Sequence, residues 1–178
     1  VPVAQSLECY FDGEAEAAVR ALWRRLEQAG VPSPASGPQG HHRPHVTFAL
    51  GSTIPPAARR DLATDLGRLA LPRLWLYTLG SFPTADNVLF LGAVTDTELL
   101  AVHVAVHDTL AGRVRDPWAY HLPGAWIPHC TLAQDVTPAQ LATAFATLHP
   151  VEPIRARIAE VGIADTRTGE IDVLWANL

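Results

Sequence analysis

The chain has 178 residues, 48% of them hydrophobic, with a formal net charge of −5 and a mean hydropathy of +0.11. That length suits one domain or two small lobes sharing a cleft, and that composition fits a folded globule, not a disordered chain. The charge argues against a long electrostatic track for nucleic acid; with no run of 18 apolar residues and no signal-peptide pattern, the expectation is a cytosolic chain without a membrane span.

Residues 3–11 alternate Val3, Gln5, Leu7, Cys9 and Phe11 on one side, which predicts a strand. Asp12 then caps a helix to about Gly30, with Val19, Leu22, Leu26 and Ala29 at helical spacing. The stretch 31–43 is rich in Pro, Gly and Ser, ends in His41-His42-Arg43, and predicts an exposed loop. A strand starts after Pro44. Thr53-Ile54-Pro55-Pro56 opens a second helix to about Leu71. Two strands follow, about 73–82 and 87–94, joined by the turn from Phe82 to Asn87. A third helix covers about 96–111 and stops at Gly112. The long loop 113–127 leads into a strand after Pro128. Thr137-Pro138 caps a fourth helix to His149, and two strands, about 153–164 and 170–176, turn at Thr168-Gly169. Each half reads helix, loop, strand, helix, strand, strand. The expectation is one α+β domain over 1–178, a duplicated unit (approximately 13–94 and 96–176) with pseudo-two-fold lobes, antiparallel pairing and one strand added in front.

The two strands after proline carry the strongest signal. Pro44-His45-Val46-Thr47-Phe48-Ala49 recurs 84 positions later as Pro128-His129-Cys130-Thr131-Leu132-Ala133. With 8 His and 14 Thr in the chain, roughly 0.6 bare H-x-T would arise by chance; requiring the proline cuts that to roughly 0.05. With period 2, His45, Thr47 and Ala49 share one face, and His129, Thr131 and Ala133 do the same in the second copy. Val46, Phe48, Cys130 and Leu132 face a core, and the small alanines are expected to leave room for a ligand. Cys9 and Cys130 read as inward core residues, not as a disulfide.

Two lobes would bring two His and two Thr to one cleft. One imidazole could take a proton from water or a hydroxyl while the other protonates a leaving oxygen, and the hydroxyls could hold a phosphate. This chemistry needs no metal or cofactor. No G-x-S-x-G marks a hydrolase nucleophile. His103 and His107 have the i,i+4 spacing of a zinc site, but no Glu follows His103 and its neighbours are apolar. His41 and His42 read as loop residues; His121 and His149 have no constellation around them. Arg43 stands two residues before His45 and would favour an anion. Loop 113–127 offers Arg113, Arg115, Trp118, Tyr120 and Trp126, a basic and aromatic mixture that suits a nucleotide.

These motifs resemble the 2H phosphoesterase superfamily, in its 2′-5′ RNA ligase and RNA 2′,3′-cyclic phosphodiesterase branch. The match lies in His45-Val46-Thr47-Phe48, in His129-Cys130-Thr131-Leu132, and in Phe82-Pro83 followed by the strand Val88 to Val94. Asn87 stands where relatives often carry Arg, and Ile127 where some do. The resemblance implies a bilobal α+β fold with outer helices and a central cleft. It implies metal-independent action on 2′,3′-cyclic phosphates or 2′-5′ linkages at RNA ends or on small nucleotides. It also implies His45 as acid, His129 as base, and Thr47 and Thr131 as phosphate holders. Arg43, Phe82, Tyr120 and Trp126 are the expected substrate contacts, with no protein partner and a monomeric chain. The rival reading is a non-catalytic module that captures RNA ends or phosphorylated nucleotides.

Overall fold

A computed structural model describes residues 4–36 and 42–177. His41 and Val3 lie outside the described residues. Among the described residues, seven strands and four α-helices follow one another as β1 (Gln5–Phe11), α1 (Gly13–Gln28), β2 (His45–Gly51), α2 (Pro56–Leu66), β3 (Arg73–Ser81), β4 (Leu89–Ala93), α3 (Thr97–Leu110), β5 (His129–Ala133), α4 (Pro138–Leu148), β6 (Ile154–Asp165) and β7 (Ile171–Ala176). Their starts follow from local chemistry. Asp12 accepts from the Ala15 N–H, Asp96 from the Leu99 N–H, and Thr137 forms a reciprocal box with Gln140. α2 stops at Leu66, earlier than the expected Leu71. Gly67 follows, Arg68 and Leu69 turn back onto the Asp65 carbonyl, and Pro72 pushes Leu71 out of helical geometry. β4 starts at Leu89 because Asn87 takes a positive φ of 49°, with its Nδ2 donating to the carbonyls of Ala85 and Val136.

All ladders are antiparallel, and the strands form one sheet in the order β2-β1-β6-β3-β4-β5, with β7 beside β6. β6 spans the molecule: Ile154–Arg157 pair with β3, and the rest pairs with β1 and β7. The order is palindromic about the β6–β3 pair. It matches a unit that starts with a strand: β1-α1-β2-α2-β3, then β4-α3-β5-α4-β6. The expected frame started each unit at a helix, because pairing partners are not visible in periodicity. One sheet face packs against the helices. Leu7, Cys9 and Phe11 of β1 bury with Val19, Leu22 and Leu26 of α1 in a core that runs through both halves. Each such side chain contributes on the order of 1.5–3 kcal/mol by leaving water. No described helix is long and apolar enough to cross a membrane.

Candidate active site

The two motif strands stand at the two ends of the sheet order, yet they meet in space. Trp126 Nε1 donates to the Thr47 carbonyl at 2.9 Å, and Trp23 Nε1 donates to the Thr131 carbonyl at 3.2 Å. The His45 backbone also bonds the Cys130 sulfur. Each half thus braces the motif of the other half.

Both motif imidazoles are anchored the same way. His45 Nδ1 lies 2.7 Å from the Arg43 carbonyl oxygen, and His129 Nδ1 lies 2.8 Å from the Ile127 carbonyl oxygen. A carbonyl only accepts, so each Nδ1 carries a proton and each Nε2 is left for chemistry. The anchor uses main chain two residues back, so Arg43 and Ile127 serve it equally.

Both strands also carry a bulge directly after the motif threonine. Leu7 pairs with Ala49 and Glu8 with Thr47, leaving Phe48 as the extra residue; Leu89 pairs with Ala133 and Phe90 with Thr131, leaving Leu132. The alternation slips by one. Ala49 and Ala133 therefore turn into the core, both essentially inaccessible, and do not line a ligand space as the strict period predicted. The Phe48 carbonyl, off the ladder, accepts from His103 and His107 Nε2 at 3.1 and 2.9 Å.

The near-symmetry breaks on the neighbouring strands. Opposite Thr47 stands Glu8; opposite Thr131 stands Phe90. Glu8 Oε2 lies 3.5 Å from His45 Nδ1 and accepts from the Tyr10 hydroxyl at 2.7 Å, while Ser6 donates to Oε1 at 2.5 Å. His129 instead meets Phe82 and Phe90, with ring centroids at 4.8 and 5.2 Å. Gly80 and Gly92 leave the room that the Phe90 ring occupies. Burial holds the His129 pKa below its usual value, and the charge of His45 adds to this, against a rise from the Ile127 carbonyl. Ser6, Glu8 and Tyr10 alternate with Leu7, Cys9 and Phe11 along β1, and that alternation is the one trace they leave in the sequence.

A cavity of about 420 Å³ opens beside His45, walled by Glu8, Trp23, Arg43, His45, Thr131 and Gln134; His129 and Thr47 are not in its wall. Of the four expected substrate contacts, Arg43 lies in this wall. Its guanidinium is already engaged, 2.7 Å from Glu160 and 3.6 Å from Glu16, over the Tyr10 ring at 4.4 Å. Phe82 forms the wall around His129. Tyr120 is 80% exposed and does not line the cavity. Trp126, expected to stack a base, is buried: it lies flat on His103 with centroids 3.8 Å apart. A ring sandwiched into the core has no face left for a base, so it anchors the loop. Thr47 and Thr131 are half-buried beside their histidines.

His103 Nε2 reaches the carbonyls of Phe48 and His121, so the nitrogen a zinc ion would need is hydrogen-bonded to main chain. No described group of three or more His, Cys, Asp or Glu is arranged for a metal ion. His121 does not stand apart as expected. It feels His129 and His107 and bonds the Thr47 backbone, and its pKa falls to about 4, mainly through burial. Cys9 and Cys130 are free and buried; burial pushes the Cys130 thiol up to about 12, which makes it inert at neutral pH.

Comparison with known proteins bears on the family and the fold. The family model of the 2′-5′ RNA ligase superfamily matches residues 11–170. A crystal structure of a phosphoesterase superposes with a TM-score of 0.57 at 17% identity, covering 99% of this chain and 98% of the other. Kluyveromyces marxianus Usb1 with uridine monophosphate superposes at 0.53 and 10% identity, covering 97% of each chain. At such identities these two matches speak for the fold. No curated protein sequence matches the chain.

Proposed function

The chain belongs to the 2′-5′ RNA ligase superfamily, and within it we propose a metal-independent phosphodiesterase that hydrolyses 2′,3′-cyclic phosphate ends of RNA or nucleotides. The observation that carries this reading is the pair of imidazoles, each with Nδ1 tied to the carbonyl two residues back, which leaves Nε2 as the nitrogen for proton transfer. His129, whose pKa is lowered, is the base. Its neutral Nε2 takes a proton from water, and the water oxygen bonds to phosphorus. The bond from phosphorus to the 3′ oxygen breaks, and His45 Nε2–H gives that oxygen its proton. A 2′-phosphate and a 3′-hydroxyl result. An imidazolium at His45 is faced by the Glu8 carboxylate 3.5 Å away, whereas nothing of opposite charge faces His129 among its ring contacts. The Thr47 and Thr131 hydroxyls donate to the non-bridging oxygens. With a 5′-hydroxyl in place of water as the attacking group, the same proton transfers join a 2′-5′ linkage; run backwards, with the 3′-hydroxyl attacking phosphorus and the 5′ oxygen leaving protonated, they cleave one and re-form the cyclic phosphate.

The test is product analysis with 2′,3′-cyclic nucleotides and a 2′-5′ dinucleotide in the presence of EDTA. Chelator leaves the rate unchanged. His45→Ala and His129→Ala each cost on the order of 10²–10⁴ in rate, the span of a lost general acid or base. Near-wild-type turnover in either folded variant overturns the acid–base assignment. Binding without any turnover in the intact chain would leave a capture module instead.

A further inference from the structure

The sheet face that bears the motif side chains continues onto β3 and β6, and there it changes character. Leu74, Leu76, Ala156 and Ile158 point to the core. The residues between them, Arg73, Trp75, Arg155 and Arg157, point the other way and are exposed or half-exposed. They sit in register: Arg73 faces Arg157, and Trp75 faces Arg155. The Arg155 guanidinium lies over the Trp75 ring at 3.8 Å. The Tyr77 ring packs against Trp75 at 4.8 Å and is itself 55% exposed.

This patch is costly for the fold alone. Like charges directly opposite each other in a ladder destabilise it. Arg157 has only Asp12, at 3.8 Å, and stays 61% exposed. Among the described residues no carboxylate pairs with Arg73 or Arg155, although the chain is acidic overall. Three guanidiniums and two accessible aromatic rings, gathered on one face, match an anion that also offers flat rings. A single-stranded nucleic acid has both: phosphates for the arginines and bases for the rings. The patch is tied to the active site by the ladder. Thr78 pairs with Gly92, and Gly92 pairs with His129. Two strand spacings across and three residues along separate Trp75 from His129, roughly 14 Å.

We infer that Arg73, Trp75, Tyr77, Arg155 and Arg157 form a stacking platform for the body of a single-stranded RNA whose end lies at the two histidines. The inference deepens the proposed function by naming its substrate class: an RNA strand end, not a free mononucleotide. A mononucleotide at His129 is too short to reach the platform, whereas a strand of a few residues spans the gap. The site is small, so it agrees with the absence of a long basic track, and its salt dependence is shallow.

Two measurements test it. Binding of a fluorescein-labelled single-stranded uridine decamer with a 3′-phosphate is followed by anisotropy, with Trp75→Ala and Arg155→Gln. Turnover is followed with a mononucleoside 2′,3′-cyclic phosphate and with an oligouridylate carrying the same end. Each variant weakens decamer binding about 5- to 100-fold, the range of one lost base stack, and raises KM for the oligonucleotide alone. Mononucleotide turnover stays at wild-type level, which also shows that the variants fold. Unchanged decamer affinity in both variants overturns the platform, as does equal loss of mononucleotide turnover, or a preference for duplex over single strand. The binding arm does not depend on catalysis. If the platform variants lose the decamer while no cyclic phosphate is hydrolysed, the platform stands and the proposed reaction falls.

Discussion

At the scale of single residues, the proposed active site is two copies of one device placed in different surroundings. The shared part is the Nδ1 anchor to the main chain. The unshared part comes from the adjacent strands, a carboxylate beside His45 and two phenyl rings around His129. The rings are part of what buries His129. Burial lowers the His129 pKa, so a base there stays neutral, and active, to lower pH than an ordinary histidine. Phe82→Ala lets water reach the imidazole and moves its pKa back up. The acidic limb of the pH–rate profile should then shift to higher pH, with the alkaline limb unmoved. A profile that scales down without shifting would show that Phe82 acts only through packing.

At the scale of elements, helix starts were legible because a cap is local chemistry. Asp12, Asp96 and Thr137 each announce a helix by their own side chains. Asp12 does more than the sequence could say: its second carboxylate oxygen accepts the Arg157 backbone N–H at 2.6 Å, so it also fastens β6 to the start of α1. Asp12→Ala should lower unfolding free energy by about 1–2 kcal/mol, the usual cost of a lost N-cap, read as a lower denaturation midpoint, while Asp12→Asn recovers most of it. Mononucleotide turnover at 25 °C should be unaffected in both. The motif strands themselves were legible, down to which residues face the core at Val46, Phe48, Cys130 and Leu132. What was not legible depends on partners. The bulges at Phe48 and Leu132 exist only against β1 and β4, and so the inward turn of Ala49 and Ala133 could not be read from their own strands. Trp126 looks equally suited to a base or to a core, and only the presence of His103 beneath it decides. Glu8 became part of the site because β1 lies next to β2, a pairing that no periodicity reveals.

At the scale of the whole molecule, the histidines behind the motif strands make the fold itself sensitive to acid. Burial is the main cause that lowers both His103 and His121 to about 4, from an ordinary value of 6.5. Between these values the unfolded chain binds protons that the native state refuses. Stability is therefore full above pH 6.5 and falls as the pH drops toward 4. Urea midpoints measured at pH 7, 5.5 and 4.5 should decline in that order, and His103→Gln should flatten part of the slope. A midpoint independent of pH across this window would mean that these imidazoles are not held neutral.

The long span of β6 has a consequence for the order in which this chain comes together. β1 can pair with β2 early, but its other edge waits for β6, and the Gln5 side chain meets Asp165 across 160 residues of sequence. β3 waits for the same strand. As the chain emerges from a ribosome, β1–β2 and β3–β4–β5 are separate ladders, each with an edge that waits for β6, and that one strand joins them. Neither histidine face is complete before then, because the sheet that aligns them is continuous only through β6. Translation that stops inside α4 would yield not half an enzyme but two unfinished sheets, each presenting an open edge to any strand it meets.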